Sequence, residues 1–200
     1  MLFRPSRPVV HSLFFAIFPD AEAAAKISAL AHDLRLQHGL RGMPYAPRRL
    51  HVTLFHVLTL PELPPGVLAA AKEAASAVTM RPFTICLDRV MSFDNGALVL
   101  CADDGVAGVE KLQDEVQRSV GKLFPSLKAR PGVPHLTMLR DRQLVAPQAV
   151  EPISWLVRDF ELIDSHQGLT YYRREGRWPL READSAWRDR GLDRRSEGIL

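Results

Sequence analysis

The spacing of hydrophobic residues divides the chain into strands and helices. Residues 12–18, SLFFAIF, are short, rich in Phe and bounded by a Pro-Asp pair, which predicts a buried strand. From residue 21 to about residue 38, apolar residues recur at helical spacing behind Asp20, which predicts a capped helix. The segment at 50–57, LHVTLFHV, predicts the next strand.

Similar patterns continue to about residue 173. Helical spacing predicts a helix over 67–78 and, most clearly, one over about 109–124 behind the candidate caps Asp103 and Asp104. Asn95-Gly96 is a strong hairpin signal. The remaining predicted elements are strands at 83–91, 97–101, 134–139, 157–163 and 169–173, a short helix within 147–156, and a frayed polar tail over 181–200.

Composition indicates an ordinary globular chain. Of its 200 residues, 46% are hydrophobic and 24% are charged, which suits one sizeable core or two small lobes that share one. The apolar run at 9–18 loosely imitates a secretory signal, but it is interrupted at His11 and is too short to span a membrane. Cys86 and Cys101 lack metal or disulfide spacing, so we expect free thiols in a cytoplasmic protein. We also expect a monomer.

A repeat of 84 positions runs through the chain. It superposes HVTL at 51–54 on HLTM at 135–138, and Asp20 on Asp104. Both copies read strand, Asp cap, helix, Pro-containing loop and His-x-Thr strand, which predicts two duplicated lobes built around residues 12–58 and 97–140. Chance is the alternative, since few positions match.

The His-x-Thr pattern suits chemistry at phosphorus. Residues two apart on a strand project from the same face, so each His and its Thr point together. A neutral imidazole can take a proton from an attacking water, and a protonated one can donate to the leaving oxygen. The hydroxyls can bind phosphate oxygens. A single His-x-Thr pattern is more simply explained as part of an ordinary strand whose His is hydrogen-bonded. Two matched copies favour an active site.

The charge distribution and the absence of other catalytic motifs limit the functions that the chain can have. A basic group near the two motifs favours a phosphate-bearing partner, and a solvated surface without a role is the alternative. The group consists of Arg41, Arg48, Arg49, Lys128, Arg130, Arg140 and Arg142. No GxSxG or P-loop is present.

The other histidines give no sign of a metal site. None belongs to an HExxH motif or lies near paired cysteines, and none has a carboxylate at useful spacing, so we expect chemistry without a metal or other cofactor. These histidines are His11, His32, His38, His56 and His166.

Because it contains two His-x-Thr motifs, HVTL and HLTM, the chain resembles the 2H phosphoesterase superfamily. It is most similar to the RNA 2′,3′-cyclic phosphodiesterase branch of that superfamily, also called the 2′-5′ RNA ligase family. The likeness runs from FFAIFPD through RRLHVTL and VPHLTMLR to FELIDSHQGLTYY and covers about residues 11–180. It implies a single α+β domain over 1–180, with two pseudo-twofold-related lobes whose antiparallel sheets line a central cleft and whose helices lie outside.

The resemblance also implies roles for individual residues. His51 and His135 would be the acid-base pair, and Thr53 and Thr137 would hold the phosphate. Arg140 takes the position of an Arg that the family often places three residues after the second Thr. Strand alternation, however, puts it on the face opposite His135 unless a bulge intervenes.

Two further positions are less well determined by the family pattern. The family commonly has an aromatic residue after the first motif, and here His56 stands in its place, where it can stack on a base or lie on the surface as an ordinary histidine. Tyr171 and Tyr172 can face the cleft or pack the last strand, and packing is favoured.

The implied activity is hydrolysis of 2′,3′-cyclic phosphate ends of RNA or oligonucleotides to 2′-phosphates, with weak, reversible 2′-5′ joining. One alternative is the same chemistry on 2′-5′-linked oligonucleotides or on a small cyclic phosphate such as that of ADP-ribose. Another is an RNA-binding module without catalysis.

Overall fold

A computed structural model of the chain describes residues 10–124, 132–167 and 171–181, which contain eight strands and three α-helices. The strands are β1 (Val10–Ile17), β2 (Val52–Leu60), β3 (Phe83–Ser92), β4 (Ala97–Cys101), β5 (His135–Arg140), β6 (Gln148–Val157), β7 (Asp159–Gln167) and β8 (Tyr171–Pro179). The helices are α1 (Ala21–Gln37), α2 (Val67–Ser76) and α3 (Ala107–Leu123), with one 3-10 turn at Pro47–Arg49. The α+β class is as predicted.

All eight strands form one antiparallel sheet in the order β6-β3-β4-β5-β2-β1-β7-β8. This order is symmetric about its centre, where the two His-x-Thr strands, β2 and β5, lie side by side. Each is flanked by the strand that precedes it in the chain, β1 and β4. Within the described part of the chain, the strand pairing between the two halves of the sheet consists of a single residue pair, Val52 and Leu136. The sheet is therefore continuous, and its origin by duplication stays a prediction.

The helices pack on one side of this sheet, which we call the helix face. Side chains of all three helices, including Ile27, Ala71 and Val109, share one hydrophobic core with Val52 and Leu136. The motif His and Thr side chains alternate with these core residues and are only partly buried. They point to the opposite side of the sheet, which we call the motif face.

Both motif strands contain a β-bulge at the same place. The register of β2 against β1 leaves Leu54 unpaired, and the register of β5 against β4 leaves Met138 unpaired. The bulged residue and its successor are both buried in the helix-face core, Leu54 with Phe55 and Met138 with Leu139. The bulge therefore reverses the alternation, and the next side chain in each strand turns to the motif face.

Helix α3 begins later than predicted. Its N-cap is Val106, which makes no side-chain capping bond, so capping by Asp103 or Asp104 is wrong. The reason lies in the turn before the helix, where Gly105 has a φ of 81° and its carbonyl oxygen accepts the amide hydrogen of Cys86, 3.2 Å away. This turn ties the chain to β3 before the helix can start. Asp104 keeps the same spacing from its motif histidine as Asp20 does, but unlike Asp20 it does not cap a helix.

The short helix expected within residues 147–156 is also wrong, since this segment is strand β6. Ile153, Trp155 and Val157 are buried while the residues between them are exposed, which is the period of a strand. Pro152 disfavours a helix interior but is tolerated in an edge strand, and β6 is at the edge of the sheet.

Most other elements lie where the pattern places them. Residues 12–17 belong to β1, and the side chain of Asp20 caps α1 by accepting the amide hydrogen of Ala23 at 2.9 Å. Both cysteines are free. No helix in the described residues is long and apolar enough to cross a membrane. Lys128, Arg130, the first residues of the strand predicted at 169–173 and the tail from residue 182 onward lie outside the described residues.

Candidate active site

The two motif histidines are held by matching hydrogen bonds. His51 Nδ1 lies 2.7 Å from the carbonyl oxygen of Arg49, and His135 Nδ1 lies 2.7 Å from the carbonyl oxygen of Val133. Because a carbonyl oxygen only accepts, Nδ1 carries the hydrogen in both rings. Nε2 is therefore the atom of each ring that can take up or give a proton.

The central strand pair brings the motifs together. Val52 and Leu136, each the residue after a motif histidine, are directly opposite in antiparallel strands. One step along in this register, each motif histidine lies beside the threonine of the other motif, on the motif face. Two imidazoles and two hydroxyls thus converge across the centre of the sheet.

Aromatic side chains surround His51. The Phe14 ring stacks on it with centroids 5.1 Å apart, and the Tyr172 ring meets it edge-on at 5.6 Å. Phe18 lies at 6.0 Å. The prediction that Tyr172 merely packs the last strand is therefore wrong, because its ring reaches the motif face. This apolar setting is also suited to stacking a nucleobase.

Arg49 places a positive charge next to His51. Its guanidinium lies over the rings of Tyr45, at 4.7 Å, and Tyr172, at 5.2 Å. Burial is the main cause that lowers the pKa of His51, and the charges of Arg49 and His135 lower it further, against the opposing effect of the Arg49 carbonyl. At neutral pH, this environment favours the neutral imidazole.

His135 has a more open environment. Its ring meets Phe93 edge-on with centroids 4.8 Å apart, and the hydrogen bond from its Nδ1 to Val133 is exposed to solvent. Phe93 is positioned by the β3–β4 hairpin, where its amide donates to the carbonyl of Ala97 at 2.9 Å. The two histidines are thus similar in hydrogen bonding but different in burial.

The bulge at Met138 brings Arg140 to the motif face. Arg140 pairs with Ala97, whose side chain belongs to the small apolar cluster on that face. The opposite-face position expected from simple alternation is therefore wrong. The exposed guanidinium of Arg140 donates from Nη1 to the Asn95 carbonyl at 3.3 Å and to its Oδ1 at 3.4 Å. These long contacts leave most of its donors free for an anion.

His56 reaches the motif face through the matching bulge in β2, and it is the counterpart of Arg140 in the first half of the sheet. Its Nε2 lies 2.9 Å from Thr59 Oγ1 and 3.3 Å from Ser12 Oγ. Burial lowers its pKa. The side chain is thus held by hydroxyls at the side of the site, and base contact stays a prediction.

A basic cleft of about 580 Å³ adjoins Arg140. Arg41 and Arg142 line it together with Arg140. The carboxylate of Asp141 accepts the amide hydrogens of Arg41 and Gly42, both at 2.6 Å, and so ties the two loops together. The clustering predicted from sequence is therefore real for these three arginines, and a phosphate chain could lie along them.

Sequence reasoning missed Gln113, which connects the first motif to the segment that precedes the second motif. It lies on α3, is only 3% exposed, and its Nε2 donates to the carbonyl oxygens of Thr53 at 3.2 Å and Gly132 at 3.3 Å. A polar residue within the apolar stripe of α3 is the sign of Gln113 that the sequence offers.

The contact of Arg49 with the site was also missed. Sequence reasoning included Arg49 only in the basic group, although the sequence shows that it lies two residues before His51.

One carboxylate does lie among the remaining histidines, contrary to expectation. Strands β1 and β7 bring His11, Asp164 and His166 together, with potential ligand atoms within 4.8 Å of one another. These residues lie on the helix face, away from the motif residues.

Comparison with known proteins identifies the family. The model of the 2′-5′ RNA ligase superfamily matches residues 18–169. Similar solved structures include E. coli LigT in complex with NADP+ (25% identity, TM-score 0.69, covering 86% of this chain and 98% of LigT) and LigT in apo form (24%, 0.71, 86% and 99%). TT0787 of Thermus thermophilus is also similar (24%, 0.68, 86% and 98%). No curated protein sequence matches. The chain belongs to the 2′-5′ RNA ligase superfamily of 2H phosphoesterases.

Proposed function

We propose that this protein hydrolyses 2′,3′-cyclic phosphate ends of RNA or oligonucleotides to 2′-phosphates, as a monomeric cytoplasmic enzyme that needs no metal for this step. The observation that carries the proposal is the matched pair of imidazoles. Each has Nδ1 occupied by a backbone carbonyl, an Nε2 without a hydrogen bond to any described residue, and the other motif's threonine as its neighbour.

The arrangement supports in-line displacement at phosphorus. Water attacks the phosphorus opposite the ribose 3′ oxygen, one Nε2 accepts the water proton, and the other donates a proton to the departing 3′ oxygen. The P–O3′ bond breaks as the new P–O bond forms, which leaves a 2′-phosphate. Thr53 and Thr137 donate to the non-bridging oxygens, and Arg140 balances their charge. The same displacement with an RNA 5′ hydroxyl in place of water forms a P–O5′ bond as the P–O3′ bond breaks, and would give weak 2′-5′ joining.

The surroundings support a nucleotide substrate. Rings next to His51 offer stacking for a base, and the basic cleft next to Arg140 offers a path for further phosphates. LigT, at 25% identity, has been crystallised with 3′-AMP, a nucleoside monophosphate. These observations favour a substrate that carries a nucleobase, as both an RNA end and the cyclic phosphate of ADP-ribose do, and the comparison of substrates below separates the two.

The test is a comparison of three substrates in excess chelator: an oligonucleotide with a 2′,3′-cyclic phosphate end, a 2′-5′-linked oligonucleotide, and the cyclic phosphate of ADP-ribose. We expect the highest kcat/KM for the first. A higher value for either of the others would reassign the substrate, and salt-dependent RNA binding without any turnover would indicate a binding module.

Replacing Arg140 should weaken transition-state stabilisation. For Arg140→Met we expect kcat/KM to fall by about 10²-fold, because one donor to a developing oxyanion is worth about 10²- to 10³-fold and this side chain is exposed. Steady-state kinetics on the cyclic oligonucleotide measure the loss. Arg142→Met, in the same basic cleft, is the matched control and should change kcat/KM far less. Equal losses would show that Arg140 contributes only general positive charge.

The pH profile of kcat/KM should be bell-shaped. The apparent pKa of one limb should lie below the ordinary histidine value of about 6.5, because burial and Arg49 lower the pKa of His51. Arg49→Met removes a positive charge that disfavours imidazolium, so this limb should move to higher pH. Profiles of the two proteins between pH 5 and 8 measure the shift. A flat profile, or a limb that moves to lower pH, would contradict the assignment.

A further inference from the structure

The cluster of His11, Asp164 and His166 has the geometry of an incomplete coordination shell. Asp164 Oδ2 lies 2.8 Å from His11 Nδ1 and 3.0 Å from His166 Nε2, and all three atoms lie within 4.8 Å of one another. Ligands of a tetrahedral Zn²⁺ with bonds of about 2.0 to 2.1 Å are about 3.3 Å apart. The two Asp164–histidine distances would each lengthen by a few tenths of an ångström, and the two histidine nitrogens, which lie within 4.8 Å of each other, would approach to the same spacing by side-chain rotation.

Burial of the carboxylate is the second observation. The Asp164 side chain is 2% exposed, and its Oδ1 has no hydrogen-bond partner among the described residues. Burying a carboxylate with one oxygen unpaired is costly, and a cation at the cluster would offset that cost. The His11 and His166 side chains are 24% and 20% exposed, which leaves an entry path from solvent.

Strand pairing holds the cluster in place. His11 is directly opposite His166, and Asp164 is opposite Leu13, which belongs to the helix-face core. On the other side of the same strands, Phe14 and Ile163 belong to the motif face. The cluster is therefore on the opposite side of the sheet from the catalytic residues proposed above.

We propose that His11, Asp164 and His166 bind a divalent transition-metal ion of the zinc class. Two neutral imidazoles and one carboxylate are the ligands that suit Zn²⁺, Co²⁺ or Ni²⁺ rather than Ca²⁺ or Mg²⁺. Three protein ligands leave a coordination position open to solvent. Because the ligands come from β1 and β7, the ion links two adjacent strands and stabilises the folded chain.

The test is titration of untagged, chelator-treated protein with Co²⁺, followed by its visible d–d absorption. We expect saturation at one equivalent, loss of the absorption on addition of Zn²⁺, and a rise in the thermal unfolding midpoint with Zn²⁺. His11→Ala and His166→Ala should each weaken Co²⁺ binding by at least about tenfold, since even the outer-shell partners of metal ligands are worth about 10- to 100-fold.

Two controls separate this cluster from other histidines. His32→Ala removes an exposed histidine on α1, and the double variant His51→Ala/His135→Ala removes the motif pair. Both should bind Co²⁺ as the unchanged protein does. Absence of Co²⁺ absorption, or absorption that survives in His11→Ala and His166→Ala, would overturn the metal site. Since the phosphodiesterase assay is run in chelator, failure of either proposal is seen independently of the other.

Discussion

Replacing either motif histidine should reduce kcat/KM on a 2′,3′-cyclic phosphate by about 10²- to 10⁴-fold, the usual value of one general acid or base. Under the proposed mechanism, His51→Ala and His135→Ala each remove the Nε2 atom that would move a proton. The double variant should lose less than the product of the two single losses, because the two groups act in one transition state. Steady-state kinetics in chelator measure all three.

The loss must come from chemistry rather than from unfolding. His32→Ala, on the exposed side of α1, is the matched histidine control and should keep full activity. His51→Asn and His135→Asn keep a polar side chain that does not titrate, and they should be as inactive as the alanine variants. Activity within about tenfold of the unchanged protein in any motif variant would show that this histidine moves no proton.

The two histidines should differ when the leaving group is changed. A p-nitrophenyl phosphodiester of a nucleoside expels p-nitrophenolate, which needs no proton, so general acid catalysis has little value on this substrate. The variant that lacks the acid should therefore regain most of its about 10²- to 10⁴-fold loss, and the variant that lacks the base should not. The ratio of kcat/KM on the two substrates measures this.

This experiment also assigns the roles. The matching hydrogen bonds of His51 and His135 allow either one to face the leaving oxygen, while their different burial makes them chemically unequal. The histidine whose variant is rescued is the acid. Rescue of both variants, or of neither, would contradict a division of labour between one acid and one base.

The motif site was largely predictable because it depends on local rules. Strand alternation alone puts each His and its Thr on one face, and the structure confirms this for 51–54 and 135–138. The position of Arg140 was not predicted, because alternation fails at the bulge. Consecutive core residues after each motif, Leu54-Phe55 and Met138-Leu139, were the visible sign of that bulge.

Features that depend on distant contacts were not predictable. The cap expected at Asp104 is absent because Gly105 is tied to a neighbouring strand, and this contact leaves no trace in local periodicity. His11 and Asp164 lie 153 positions apart and meet only because β1 pairs with β7. By contrast, the strand at β6 could have been recognised from its alternating apolar residues and from Pro152.

The most direct test of the central claim is the product formed from 2′,3′-cyclic AMP in ¹⁸O-labelled water and excess chelator, identified by ³¹P NMR. Two-histidine hydrolysis with departure of the 3′ oxygen predicts 2′-AMP that carries one ¹⁸O on phosphorus, formed at least about 10²-fold more slowly by the His51→Ala/His135→Ala protein. Formation of 3′-AMP, loss of turnover in chelator, or product from the double variant at the unchanged rate would contradict the account.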